Sequence, residues 1–129
     1  MSLKLSKNNT VPYNYYSENT NLNPITTQVT LTNTGGVRPS DIIIAFLVAT
    51  TFNYTGITIT PISEEVGINW RVSLDNIIWS ESVSPSDMDA LLSDVNIPIY
   101  IGAVVNNDGT VITGNYIQCK IRITAVENP

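Results

Sequence analysis

The stretch Asn69-Trp70-Arg71-Val72-Ser73-Leu74-Asp75-Asn76-Ile77-Ile78-Trp79-Ser80 decides the fold class. Trp70, Val72 and Leu74 alternate with Arg71, Ser73 and Asp75, the period of two that marks a strand with one apolar face. Asp75-Asn76 tolerates positive φ and predicts a tight two-residue turn. With the turn there, Leu74 faces Ile77 and Val72 faces Trp79, so that Trp70, Val72, Leu74, Ile77 and Trp79 share one side of a hairpin. Both tryptophans of the chain lie in it, and rings of that size dominate a small core.

Upstream, Ile25, Thr27, Val29 and Leu31 alternate with polar residues until Asn33-Thr34-Gly35-Gly36 turns the chain. The run from Ile42 to Phe52 is the most apolar. Its three isoleucines, with Val48, Thr50 and Thr51, favour strand over helix. Ile42, Ile44, Phe46 and Val48 form one face and Ile43, Ala45, Leu47 and Ala49 the other, so this strand needs cover on both sides. Asn53 to Gly56 reads as a turn, followed by Ile57 and Ile59 alternating with threonines up to Pro61.

Downstream, Ser84 to Val95 predicts the one short helix. Ser84 is a capping residue, Pro85 suits the first turn, and Met88, Leu91, Leu92 and Val95 form one apolar stripe. The stripe reads first as a lid on the domain's own core and second as a partner-binding face. Ile97 to Val105 and Ile117 to Ala125 are strands with clear alternation, separated by a turn at Asn106 to Gly109, a short candidate edge strand at Thr110 to Thr113 and a turn at Gly114-Asn115.

Residues 1–24 differ in texture. Leu3 and Leu5 suit a short strand, but Asn-rich sequence follows, with Tyr13, Tyr15 and Tyr16 close together. The segment reads as an extended N-terminal arm before a β-sandwich domain over 25–129. Tyr13, Tyr15 and Tyr16 are the candidate partner-binding residues, whether the arm wraps its own domain or reaches a neighbouring subunit, since tyrosine gives contact area at low rotamer cost.

With 129 residues the chain has the length of one domain and can bury a core without staples. Charged residues make up 13%, against the usual share of about 25%, so the surface is polar mainly through Asn, Ser and Thr. The net charge is −5 and the six basic residues are scattered, which argues against a nucleic-acid partner. No apolar run has membrane-spanning length, and MSLKLSKNN lacks the apolar centre of a signal peptide, so the expectation is a protein made in the cytoplasm.

Catalytic chemistry finds little purchase. The chain has no histidine, hence no Ser-His-Asp triad and none of the commonest metal ligand. Cys119 alternates with inward isoleucines and reads as a buried structural thiol. Glu64-Glu65 and the pair Asp87 and Asp89 diverge, and Asn106 to Gly109 lacks the later glutamate of a calcium loop. No catalytic, cofactor-binding or metal-ligating residue is therefore expected, and no cofactor.

Seven or eight strands with turns every 8–12 residues or so indicate an all-β antiparallel sandwich. Val29 to Gly36, VTLTNTGG, resembles the second strand of immunoglobulin-like domains in bacterial surface proteins and tailed-phage virion proteins. Trp70 to Ser80 resembles a hairpin of the same group. The resemblance implies an immunoglobulin-like sandwich in a non-enzymatic virion protein, a capsid decoration or accessory protein of a tailed bacteriophage. Its expected partners are a major capsid or other virion protein and itself, as a closed homo-oligomer with a trimer as first guess. The alternative is a carbohydrate-binding or adhesion module in which Tyr54, Tyr100 or Trp79 stacks on sugar rings.

Overall fold

The structure is a computed structural model and describes residues 3–16, 25–29, 42–62, 68–89, 96–105 and 114–128, with the side chains of 25–29, 68, 105 and 114–120 left aside. Seven strands are present in these residues: β1 (Leu3–Ser6), β2 (Ile25–Val29), β3 (Ile42–Ala49), β4 (Asn53–Ile62), β5 (Ile68–Ser73), β6 (Ile97–Val105) and β7 (Gly114–Asn128). They form a four-stranded sheet in the order β1-β3-β6-β5 and a three-stranded sheet in the order β2-β7-β4. All pairings are antiparallel.

One core lies between the two sheets. Leu3, Leu5, Ala45, Leu47, Trp70, Val72, Ile99, Ile101 and Ala103 enter it from the first sheet, and Tyr54, Ile57, Ile59, Ile121 and Ile123 from the second. The alternation read in β3, β6 and the described part of β7 is the alternation found, because a one-residue slip would exchange the inward and outward faces of each strand. Ile42, Ile44, Phe46 and Val48 take the outer face of β3, where Ile44 stays 46% exposed. Gly114 and Asn115 belong to β7 and pair with Val29 and Gln28, so the turn expected there is absent. The candidate edge strand at 110–113, the turns at 33–36 and 106–109, and Glu64-Glu65 lie outside the described residues, as does the Cys119 side chain.

The residues expected to be a turn at Asn53 to Gly56 open β4 instead. Thr55 pairs with Val126 and Thr58 with Thr124, so β4 holds one residue more than β7 between these pairs. Gly56, at φ +59°, makes this bulge. Its consequence is a change of parity: Tyr54 points inward with Ile57, Ile59 and Pro61, although it is even-numbered and they are odd. The fully buried Tyr54 then meets its cross-strand partner Glu127, to which its hydroxyl donates a 2.6 Å hydrogen bond.

The N-terminal segment departs from an arm. Leu3 and Leu5 are buried, and β1 pairs with β3 through Leu3↔Ala49 to Ser6↔Phe46. The chain then folds back on β1. Ser6 bridges Tyr15, and the Tyr16 amide donates to the Leu5 carbonyl. Asn8 organises the turn between them. Its Oδ1 accepts from the Ser6 hydroxyl and the Asn14 amide, and its Nδ2 donates to the Thr10 and Pro12 carbonyls. Residues 3–16 are thus an edge of the sandwich, because two buried leucines outweigh the loose polar sequence around them. Residues 17–24 lie outside the described ones.

The described half of the expected helix, Ser84 to Asp89, is not helical. Local signals favoured a helix, but β4 offers unpaired backbone groups at its outer edge. Ile59 exchanges two backbone hydrogen bonds with Val83 (2.8 and 3.0 Å), and Tyr54 two with Met88 (2.8 and 2.9 Å). Met88 still covers the core, at 6% exposure, but does so from an extended segment. Residues 90–95 fall outside the description.

Two substitutions check this architecture. Gly56→Ala meets no steric contact yet forces alanine into the left-handed region, so it should cost about 1–2 kcal/mol in urea unfolding. Leu5→Ala should cost about 2–5 kcal/mol, and a loss under about 0.5 kcal/mol would show that β1 is not part of the core.

Candidate functional site

Three surface features carry chemistry: the tyrosine loop beside β1, the loop after β5, and a cleft at the seam between the sheets.

Tyr13 and Tyr15 lie together, ring centroids 5.8 Å apart, with the rings tilted. The Lys4 ammonium stands 5.5 Å from the centre of the Tyr15 ring and that of Lys7 5.3 Å from the Tyr16 ring. Such contacts contribute about 0.5–1 kcal/mol at exposed sites. Tyr16 packs against the core, and desolvation raises its phenol above the ordinary value. The Tyr15 phenol is raised too, by desolvation first and by Tyr13 second. Asn96, at the entrance to β6, donates to Asn9 Oδ1 (2.8 Å) and the Tyr13 hydroxyl (3.1 Å). The structure therefore brings the three candidate tyrosines together and ties them to their own domain.

The loop after β5 is where the hairpin register differs from expectation. Val72 exchanges backbone hydrogen bonds with Ser80, not Trp79, each 2.9 Å long. This leaves a longer turn than two residues, built by side chains. Ser73 Oγ accepts from the amides of Asp75 (3.3 Å) and Asn76 (2.9 Å) and donates to Asp75 Oδ1. The same Asp75 oxygen accepts from the amides of Ile77 and Ile78, both at 2.9 Å. Asn76 takes φ 61°, as the residue pair suggested. Trp70, Val72 and Trp79 are buried, but Leu74, Ile77 and Ile78 are 39%, 78% and 69% exposed. A fixed loop thus holds three aliphatic side chains in water. The signal available in sequence was Ser73-Leu74-Asp75, whose two short acceptors flank the turn.

The cleft is lined by Thr60 and Pro61 of β4, Asn69, Trp70 and Arg71 of β5, and Glu81, and encloses about 260 Å³. It sits where the chain leaves β5 at Ser80 and reaches β4 at Val83. Arg71 Nη1 donates to the Trp70 carbonyl (2.9 Å), and Nη2 lies 3.6 Å from Glu81 Oε1, beyond hydrogen-bond distance.

Of the expected sugar-stacking residues, Tyr54 is fully buried and Trp79 8% exposed, so neither can stack; Tyr100 is half-buried on the outer face of β6. Among the described residues no group of three or more Cys, Asp or Glu gathers in metal-binding proximity, and no helix is long and apolar enough to cross a membrane. No protein-family model matches the chain, and comparison with curated proteins and with solved structures finds no match.

The loop after β5 makes a pH prediction. Backbone amides of Ile78 and Ile77, then the Ser73 hydroxyl, hold the Asp75 carboxyl below its ordinary value. A depressed carboxyl contributes stability above the unfolded pKa of about 3.9, lost as pH falls through the lower folded value. Asp75→Asn should therefore be less stable than wild type at neutral pH, and thermal unfolding curves of the two proteins should converge in acid. A gap that stays constant to pH 2 would contradict this role for the charge.

Proposed function

We propose that the chain is a non-enzymatic structural protein that works through protein-protein contacts, as a capsid decoration or accessory protein of a tailed bacteriophage. In this reading it has an immunoglobulin-like fold, sits on the virion surface, and associates with copies of itself, as a trimer, and with a major capsid protein. The observation that carries the contact role is the loop tip Leu74, Ile77 and Ile78. Burying an aliphatic side chain of this size is worth about 1.5–3 kcal/mol. The Ser73 and Asp75 hydrogen bonds already fix the loop, which lowers the ordering cost that binding usually carries. The tip has no aromatic or basic residue to suit a membrane surface, so a protein groove is the better match.

Strand order supports the immunoglobulin-like part. In such domains strands A, B, E and D form one sheet and C, F and G the other. Here β1, β3, β6 and β5 lie in the order of A, B, E and D, and β4 pairs with β7 as C pairs with F. The departure is at the G position, which is taken by β2 from early in the chain.

Light scattering tests the association. The wild-type chain should show a mass near three times its 14.1 kDa, and Ile77→Asp with Ile78→Asp should return it to one chain without loss of folded signal. A monomeric wild type at high micromolar concentration, or an oligomer indifferent to both substitutions, overturns the self-association. Removing residues 1–24 would be a poor substitute, since it deletes β1 and two core leucines.

A further inference from the structure

The seam cleft is built differently from the tip. Its buried part is apolar, formed by Trp70 at 4% exposure and by Pro61. Its rim is polar, formed by Thr60, Asn69, Arg71 and Glu81. Among the described residues, two of these rim groups, Arg71 and Glu81, form an ion pair at 3.6 Å. Apart from the bond from Arg71 Nη1 to its neighbour's carbonyl, none of the four side chains makes a hydrogen bond among the described residues. An apolar floor with a few convergent polar groups is the usual make-up of a small-molecule site. The volume, about 260 Å³, lies just below the range of about 300–1,000 Å³ usual for such sites, which restricts it to a single ring.

We infer that this cleft binds a single neutral sugar ring, a hexopyranoside, through Asn69, Arg71 and Glu81. The chemistry selects the class. Arg71 is held by its Nη1 bond and its Nη2 lies 3.6 Å from Glu81 Oε1, so a charged donor and a charged acceptor stand side by side at a spacing a hydroxyl can bridge. A guanidinium and a carboxylate side by side match adjacent hydroxyls, each of which both donates and accepts; hydrogen bonds to charged partners are the stronger kind. The Asn69 amide offers both functions, and what little of Trp70 and Pro61 reaches the cleft forms its floor. An anionic ligand fits less well, because Glu81 lines the wall and the chain carries net charge −5. No aromatic stacking on the surface is needed. The site does not depend on the self-association proposed above, since it lies within one chain.

The test is an amide-resolved NMR titration of the full chain with the methyl glycosides of glucose, galactose, mannose and N-acetylglucosamine, and with glucuronic acid as the charged control. A one-ring ligand held by a few hydrogen bonds should bind at a Kd on the order of 1 mM. At least one neutral glycoside should give saturable shifts confined to Thr60, Asn69, Trp70, Arg71 and Glu81, with glucuronic acid weaker. Glu81→Gln, at a side chain 85% exposed, keeps the fold and should weaken binding several-fold; Arg71→Ala should weaken it at least about tenfold. No saturable shift at these amides from any of the four glycosides overturns the site. So do shifts that persist unchanged in both variants.

Discussion

The backbone hydrogen bonds of Ser80, Val83 and Met88 hold this sandwich shut along one side. A strand at a sheet edge leaves amides and carbonyls without partners, and burying such groups unpaired costs about twice what a made hydrogen bond contributes. β5 is an edge of the first sheet and β4 an edge of the second. One segment serves both: it pairs with Val72 of β5 at Ser80, crosses the seam in three residues, and pairs with Ile59 and Tyr54 of β4. Sheet-to-sheet contact is thus fastened by backbone pairing as well as by the apolar core. The tip and the cleft are by-products of this lacing. The tip is the loop that turns the chain back toward β5, and the cleft is the gap left where the chain crosses.

The bulge at Gly56 works within the same constraint. Without the extra residue Tyr54 would face water, and its backbone would present the wrong side to Met88. With it, one large ring is buried, its hydroxyl is satisfied by Glu127, and the same residue's backbone accepts the lacing segment. The opposite edge is handled with side chains instead: Asn8 bends the chain so that Tyr15 and Tyr16 return along β1. Trp79 Nε1, buried beneath the tip without a hydrogen-bond partner among the described residues, is the exception to this satisfaction of polar groups.

Elements governed by a local period were legible in sequence. β3, β6 and the C-terminal part of β7 carry alternation strong enough to fix both strand and face, and the burial of Trp70 and Val72 followed from the same rule. What was not legible depends on partners distant in sequence. Ser84-Pro85 and the spacing of Met88, Leu91 and Leu92 are helix signals, yet the need of β4 for an edge partner, some 30 residues upstream, draws Val83 and Met88 into extended pairing. The local pattern points Leu74 and Ile77 inward because Asp75-Asn76 suits a two-residue turn; the Ser73 and Asp75 side chains support a longer one and shift the register by one. Of the surface features, the tyrosines were visible as a cluster, whereas the cleft joins β4, β5 and Glu81 and has no signature in any one stretch.

The lacing is tested most directly by native-state hydrogen exchange at the amides of Tyr54, Ile59, Val72, Ser80, Val83 and Met88, all of which take part in the backbone bonds between the segment and the edge strands β4 and β5. If these bonds hold the sandwich shut, the six amides exchange nearly as slowly as those of the central strand β6 and open together with it. Exchange of Val83 and Met88 at the rate of exposed loop amides, with β6 still protected, would show that the segment merely rests on the sandwich and that the core alone joins the sheets.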